Sequence, residues 1–529
     1  TAVGKAALMN NTSGTGNTAL GTFVLDAATT ANYNTGIGYK ALTDNTASNN
    51  TAVGYKSLED NTSGTDNVAV GYIALNSNTT GNYNTALGYA ALTTNTTARD
   101  NSALGYKALE NNTTGAYNTG LGYQALRANT TASYNAAVGN HALESNTTGA
   151  SNVAVGYNSL SSNTTGAGNT GVGTSALDAT TTGNYNTAVG KDALAGNTTG
   201  TKNTAVGYEA LDAATTAERN TAFGYKALSA TTASENAAFG SHCMELNTTG
   251  NNNAAFGDMS MYYNTEGDMN TAFGYASLHS CTTGDKNTAV GSSSLLNSTT
   301  SDYNTAVGYY GLKSNTTGEG NTSIGYHTGA DITTGDNNTL VGREAGDSIT
   351  TGHINVCVGM NAGTTLTTGG GNVMLGNQAG QNQETTSDYQ LYIARNASAG
   401  GNAGVWIKGN SSGACTQGDN SSSWSTTSDR RLKKNIVNNT KGLTEIDQLR
   451  VTNFEYRKED EIDMSEFPLA DNPSQVVLGE GNEGVHTGVI AQEIEAILPE
   501  CIRVSEKGAK TVNTDPILWA LVNAVKELS

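Results

Sequence analysis

The chain has 529 residues, of which 64 are Gly, only 4 are Pro and 14% are charged, with a formal net charge of −19. A surface that grips phosphate backbones needs clustered Lys and Arg, so this balance excludes nucleic acid as an expected partner. Residues 424–529 hold 12 basic and 18 acidic side chains, against 15 and 28 in the 423 residues before them, so the long region is weakly charged for its size. No apolar run reaches the ~18 residues of a membrane span, and no signal peptide is visible. The five cysteines, Cys243, Cys281, Cys357, Cys415 and Cys501, lack the spacing of a zinc site or a disulfide scaffold and read as small buried or incidental residues.

Self-similarity governs the first 380 residues. The unit reads Asn-Thr-Ala-Val-Gly-Tyr-x-Ala-Leu-x-x-Asn-Thr-Thr-Gly-x-x, and its marker glycine recurs from Gly4 through Gly21, Gly38 and Gly54 to Gly376. That is 23 copies at a spacing of 17, with single-residue slips from Gly38 to Gly54 and from Gly224 to Gly240. Thr-Ala-Val-Gly-Tyr alternates over a length suited to a short strand. Tyr-x-Ala-Leu is expected to continue as a second short strand or to tighten into one helical turn. Asn-Thr-Thr-Gly is turn chemistry, since Asn and Thr bond the local backbone and Gly takes positive φ.

One such coil cannot offset its own conformational entropy, so coils must stack on a shared ladder. At the ~4.8 Å spacing of strands the stack would form a shaft on the order of 100 Å long. The absence of Pro before Pro468 agrees, because each coil must donate backbone N–H groups to a neighbour. The predicted fold is mainly β: a parallel β-solenoid or β-roll of 17-residue coils over 1–380, a neck and linker over 381–423, and a small α+β domain over 424–529 that ends in a helix. Within the neck, Gln390 to Ala394 and Gly404 to Lys408 read as two strands capping the last coil.

The Asn-x-Ala-Val-Gly coils resemble the β-roll heads of trimeric autotransporter adhesins and related repeats of phage tail fibres, though the 17-residue period departs from the adhesin coil. This resemblance implies a homotrimer. Tyrosine follows the marker glycine in 12 coils, and Tyr55, Tyr72, Tyr89, Tyr106 and Tyr123 form a candidate row for packing on the sugar rings of a host glycan. The competing reading, that these rings pack between coils or chains, follows directly from the structural period. The Asn-Thr-Thr triplets also match a glycosylation acceptor, but as a turn element they need no such role. His141, His242, His279, His327, His353 and His486 show no metal-ligand spacing, and neither a cofactor nor a catalytic constellation is expected before residue 424.

The last hundred residues change grammar. Leu443 to Leu449 has helical periodicity, Val451 to Tyr456 reads as a strand, and a helix over Ile490 to Leu498 is stopped by Pro499. Asp515 and Pro516 suit an N-cap and first helical position, and Leu518, Leu521, Val525 and Leu528 then follow at coiled-coil spacing. Ser428-Asp429-Arg430-Arg431-Leu432-Lys433, Gly488-Val489-Ile490-Ala491-Gln492-Glu493 and the terminal helix together resemble the endosialidase-type intramolecular chaperone, peptidase family S74. The resemblance implies trimeric assembly followed by self-cleavage between Thr427 and Ser428, with Ser428 as nucleophile and Lys433 as its proton-accepting partner. Asp429 falls at the same cleavage motif.

The function these readings predict is a structural fibre or adhesin, extracellular, on a virion tail or similar surface appendage. Its partners would be itself, a host surface glycan or receptor, and an anchor protein upstream; Thr1 falls inside a repeat, so an upstream segment is expected. Three other settings are weighed: a bacterial cell-surface trimeric adhesin, a scaffold for a polysaccharide-degrading enzyme, and ice or mineral binding by the Thr rows. No periodic carboxylate pair supports the enzyme.

Overall fold

A computed structural model describes residues 1–381, 386–394, 404–413, 415–417, 434–470, 472–473, 484–505 and 508–529. The chain forms two compact units, Thr1–Ser422 and Ser423–Ser529.

The first unit is a parallel β-solenoid of 23 coils. Each coil contributes one short strand, from β1 (Ala2–Val3) and β2 (Thr18–Leu20) to β23 (Val373–Leu375). Strands pair in register with the equivalent residues of the next coil, as in Thr85↔Ser102, Ala86↔Ala103 and Leu87↔Leu104. Three residues suffice because the pleat sends only the central one inward, and Ala86, Ala154 and Ala205 are fully buried. Both single-residue slips fall in the Asn-Thr-Thr-Gly turn, where Asn45-Thr46-Ala47 and Thr231-Thr232-Ala233 are each one residue short. The strand register across them is intact, with Thr35↔Thr51 and Thr221↔Ala237.

The Tyr-x-Ala-Leu step is neither a second strand nor a helical turn. Alternate residues take positive φ, 53° at Ala90 and 52° at Leu92, and this repeats in coil after coil. The two left-handed residues tie the coil to both neighbours: Ala90 donates to Tyr72 O of the preceding coil (2.9 Å), Leu92 to Ala108 O of the following one (3.0 Å). A left-handed Leu costs about 1–2 kcal/mol. Complete burial of that side chain, worth about 2 kcal/mol, and its bonds to the neighbouring coils offset the cost.

Two columns of buried asparagine run through the interior. In the first, from Asn17 to Asn372, each Oδ1 accepts the backbone N–H of the next coil's Asn; Asn101 donates to Asn84 at 3.1 Å and Asn118 to Asn101 at 2.9 Å. Nδ2 of every Asn in this column but Asn135, whose Nδ2 is buried without a partner, reaches a carbonyl 13–15 residues further on, as from Asn84 to Ala98 O at 2.8 Å. In the second column, Nδ2 of each Asn donates to Oδ1 of the Asn one coil earlier, unbroken from Asn61 to Asn163 at 2.6–3.0 Å. This ladder stops wherever the next coil lacks Asn. Asn163, Asn197, Asn264 and Asn315 are followed by Thr180, Ala214, Cys281 and Ile332, and those four Oδ1 atoms are buried without a partner.

From coil 20 onward the core is rebuilt. Gly329, Gly346 and Gly363 stand where earlier coils have Leu, while Ile332, Ile349 and Leu366 replace the second Asn and Leu340, Cys357 and Met374 replace the strand alanine. The swaps conserve volume: a Cβ on Gly329 would lie 2.6 Å from Leu340 Cδ1 and 3.1 Å from Ile332 Cδ1. The stack is closed by β24 (Leu391–Ala394), which pairs parallel to β23, and by β25 (Val405–Gly409) and β26 (Cys415–Gln417), which turn antiparallel. Of the cysteines, Cys243, Cys281 and Cys357 are buried in this core, with thiols pushed up to about 12 by burial, whereas Cys415 is exposed.

The second unit has α1 (Leu443–Ile446), β27 (Thr452–Phe454) paired with β28 (His486–Gly488), α2 (Ala491–Ile497), β29 (Ile502–Val504) paired with β30 (Lys510–Val512), and α3 (Asp515–Leu528). Its small core is Ile494, Leu498 and Cys501, with Leu449, Val489 and Ile517 packed against it.

Asn112 sits mid-ladder, accepting from Asn129 at 2.8 Å and donating to Asn95 at 3.0 Å, whereas Asn197 donates only at 3.3 Å and leaves its Oδ1 unpaired. Asn112→Ala is therefore expected to cost about 1–3 kcal/mol of local stability and Asn197→Ala distinctly less, read as amide-exchange protection in the flanking coils. The marker glycine tolerates no side chain: at Gly88, φ is 140° and a Cβ would lie 2.3 Å from Gly105 O. Gly88→Ala should lose about 3 kcal/mol or more, seen as protease cleavage opening at coils 6 and 7.

Candidate functional site

Helix α3 carries the main candidate surface. Pro516 sits in its first turn, Asp515 faces the positive end of the helix and Lys526 the negative end, all of which favour a helix here. Thr514, not Asp515, occupies the N-cap position. The face turned into the domain is small, made of the buried Ala520 and Ala524 with the partly buried Ile517. The larger apolar side chains point outward: Leu518, Leu521, Val525 and Leu528 are 53%, 45%, 58% and 71% exposed, and Trp519 is 61% exposed. A 14-residue helix with its bulk outside is marginal alone.

Polar ties hold that inner face in place. Asn523 Nδ2 donates to the carbonyls of Lys441 (2.8 Å) and Asn439 (3.1 Å), and a Glu527 carboxylate oxygen accepts the N–H of Leu443 at 2.9 Å. Glu445 accepts the Gly442 N–H, which holds its carboxyl below the usual range. On the other side of the domain Arg450 grips Glu493 with two nitrogens, at 2.7 and 3.1 Å. A groove of about 550 Å3 lies between the end of β27, the start of α2 and β30, lined in part by Phe454, Tyr456, Val489, Gln492 and Lys510.

Thr427, Ser428, Asp429 and Lys433 lie outside the described residues. The Gly488–Glu493 motif is described, and it carries the chain from the end of β28 into the first turn of α2.

In the solenoid, Tyr39, Tyr55, Tyr72, Tyr89, Tyr106 and Tyr123 form one column with ring centroids 5.1–5.4 Å apart and nearly parallel planes. Phe23 and His141 close its two ends edge-on. The ring faces therefore cover each other, and the column offers solvent its edges and hydroxyls. Two further aromatic columns follow from the repeat. Tyr117 and Tyr134 stack at 5.1 Å beside the first Asn column, and Phe223, Phe239, Phe256 and Phe273 stack at 4.3–5.1 Å on the outer strand face. The signal for the second was four successive Phe at one position of the unit.

A model of the Peptidase_S74 family, described as the chaperone of endosialidase, matches residues 428–503. The match begins at the Ser428 motif, includes Gly488–Glu493 and ends before α3. The C-terminal region thus carries an endosialidase-chaperone domain, preceded by a β-solenoid of 17-residue coils. No curated protein and no solved structure matches the chain. Among the described residues no helix is long and apolar enough to cross a membrane.

Removing the α3 tether tests how the domain presents this surface. Asn523→Ala loses two bonds to main-chain carbonyls and should cost about 1–2 kcal/mol, read as faster amide exchange over residues 439–446 in the full chain.

Proposed function

We propose that this chain is the shaft and assembly domain of an extracellular homotrimeric fibre, of a phage tail or similar surface appendage, that mediates attachment to a host surface. The observation that carries the reading is the chaperone-family match that follows 23 nearly interchangeable coils in the same chain. A coil with an in-register ladder on both sides pairs almost as well one repeat out of place, and three chains multiply the wrong alignments. A terminal domain that associates first fixes chain number and register before the coils zip. The outward Leu518, Leu521, Val525 and Leu528 of α3 suit the seam this step requires, since among the described residues they stay about half or more exposed.

After assembly the template is dispensable, and the S74 resemblance assigns its removal to Ser428 and Lys433. Ser428 Oγ attacks the Thr427 carbonyl carbon while Lys433 accepts the hydroxyl proton. The Thr427–Ser428 amide bond breaks as the ester forms, and the proton passes to the departing Ser428 nitrogen. Water then opens the ester, leaving a Thr427 carboxylate and a new N-terminus at Ser428. With the template gone, an unfolded chain cannot re-form the aligned trimer, so the assembled fibre persists as a kinetically trapped product. Attachment would use the solenoid's flank, including the hydroxyl edges of Tyr55, Tyr72, Tyr89, Tyr106 and Tyr123, which suit the polar rim of a glycan.

Intact-mass analysis of the expressed chain beside Ser428→Ala and Lys433→Ala tests the reading. The parent is expected to yield pieces ending at Thr427 and beginning at Ser428, and both variants to stay whole. A parent that remains whole after assembly removes the cleavage step and leaves the domain as a permanent cap.

A further inference from the structure

The outer face of the solenoid strands has a property no other face shares. The 22 three-residue strands β2–β23 turn their first and third residues outward, which makes 44 positions, and neither these nor Val3 of β1 carries a charged side chain although the chain carries −19. The third position is apolar in every coil, running from Val3 and Leu20 to Val358 and Leu375, with Phe223 to Phe273 as its bulkiest stretch. These side chains are partly exposed throughout, Leu104 at 43% and Phe273 at 48%, with Phe239 and Phe256 less so. A shallow groove between the Thr and Leu rows runs past Leu87, Leu104 and Leu121.

The stripe is far larger than a monomer's usual apolar patch. Its apolar side chains expose on the order of 1,500 Å2 per chain, against the ~800 Å2 each partner gives to an ordinary specific interface. Two features select the occupant. A partner that covers the whole stripe must present apolar groups at the coil repeat over all 23 coils, and this chain is itself such an object. A net-acidic chain meets least repulsion from its own copy through a face free of charged side chains, and the outer strand face is such a face.

We propose that the outer strand face is the surface on which copies of this chain pack along the solenoid, parallel and in register, with the Phe223, Phe239, Phe256 and Phe273 plaque meeting its own counterpart. The parallel sense rests on the reading of the C-terminal domain as an assembly template. The contact surface itself rests only on the solenoid.

Cysteine cross-linking of the full chain, in a Cys415→Ser background that removes the exposed native thiol, tests this. Val290→Cys lies in coil 18, so parallel in-register packing brings it against its own counterpart. Under a mild oxidant such as diamide, Val290→Cys is expected to give a covalent dimer on a denaturing gel, while Thr97→Cys on the turn face gives none. In antiparallel packing coil 18 would face coil 6, so a dimer obtained only with Leu87→Cys and Val290→Cys together would overturn the parallel register. An oligomer of unchanged native mass in which neither arrangement cross-links would overturn the surface and leave the assembly domain standing. A Leu521→Asp variant that is monomeric by native mass, while Val290→Glu retains the oligomer and its thermal stability, would likewise place the contact in α3 alone. A parent chain that is monomeric by native mass would overturn both readings.

Discussion

Everything in the solenoid depends on one constraint: a coil cannot satisfy all of its own interior polar groups and must borrow partners from the coils on either side. Asn84 shows it most directly. Its Oδ1 accepts from Asn101 of the next coil, and its Nδ2 donates to Ala98 O. A buried amide left unpaired costs about 1–3 kcal/mol, so each coil is stable only as an interior member of a stack. The strained left-handed Leu, the glycine with no room for a Cβ and the three-residue strand are all tolerable for the same reason, because the neighbour supplies what the local sequence lacks.

That dependence also explains the irregularities. The unpaired Oδ1 atoms at Asn163, Asn197, Asn264 and Asn315 mark the coils where the second ladder is interrupted, and they leave local weak points in an otherwise uniform column. Beyond coil 20 the ladder gives way to Ile332, Ile349 and Leu366, and packing takes over from hydrogen bonding at the end nearest the cap. The two shortened coils lose a residue only in the exposed turn, where no buried partner is disturbed. Variation is accepted where it leaves the vertical register untouched.

The same vertical interchangeability creates the assembly problem that the C-terminal domain answers in the proposed function. Neighbouring coils are good partners because they are alike, and likeness is what permits slippage. An α3 helix that keeps alanine inside and Leu518, Leu521, Val525 and Leu528 outside spends little apolar surface on its own small domain. Both units thus keep apolar area on the outside, as a stripe in the solenoid and as one helix face in the C-terminal unit.

The sequence by itself determined the period, the 23 coils, the short strand in each, the change of grammar near residue 424 and the motif order that the family match covers, because each is a repeating or contiguous pattern. It did not determine the path between strand and turn. Local propensity offered a second strand or a helical turn for Tyr-x-Ala-Leu, and the alternating left-handed backbone prevails only because bonds to the coils above and below outweigh its cost. Nor could it assign the tyrosine faces, since Tyr55 and Tyr72 are 17 residues apart and meet only when the coil closes. Side-chain ties such as Asn523 to Lys441 likewise join residues 82 positions apart. A one-dimensional pattern records what recurs along the chain, and the contacts that decide these features lie across it.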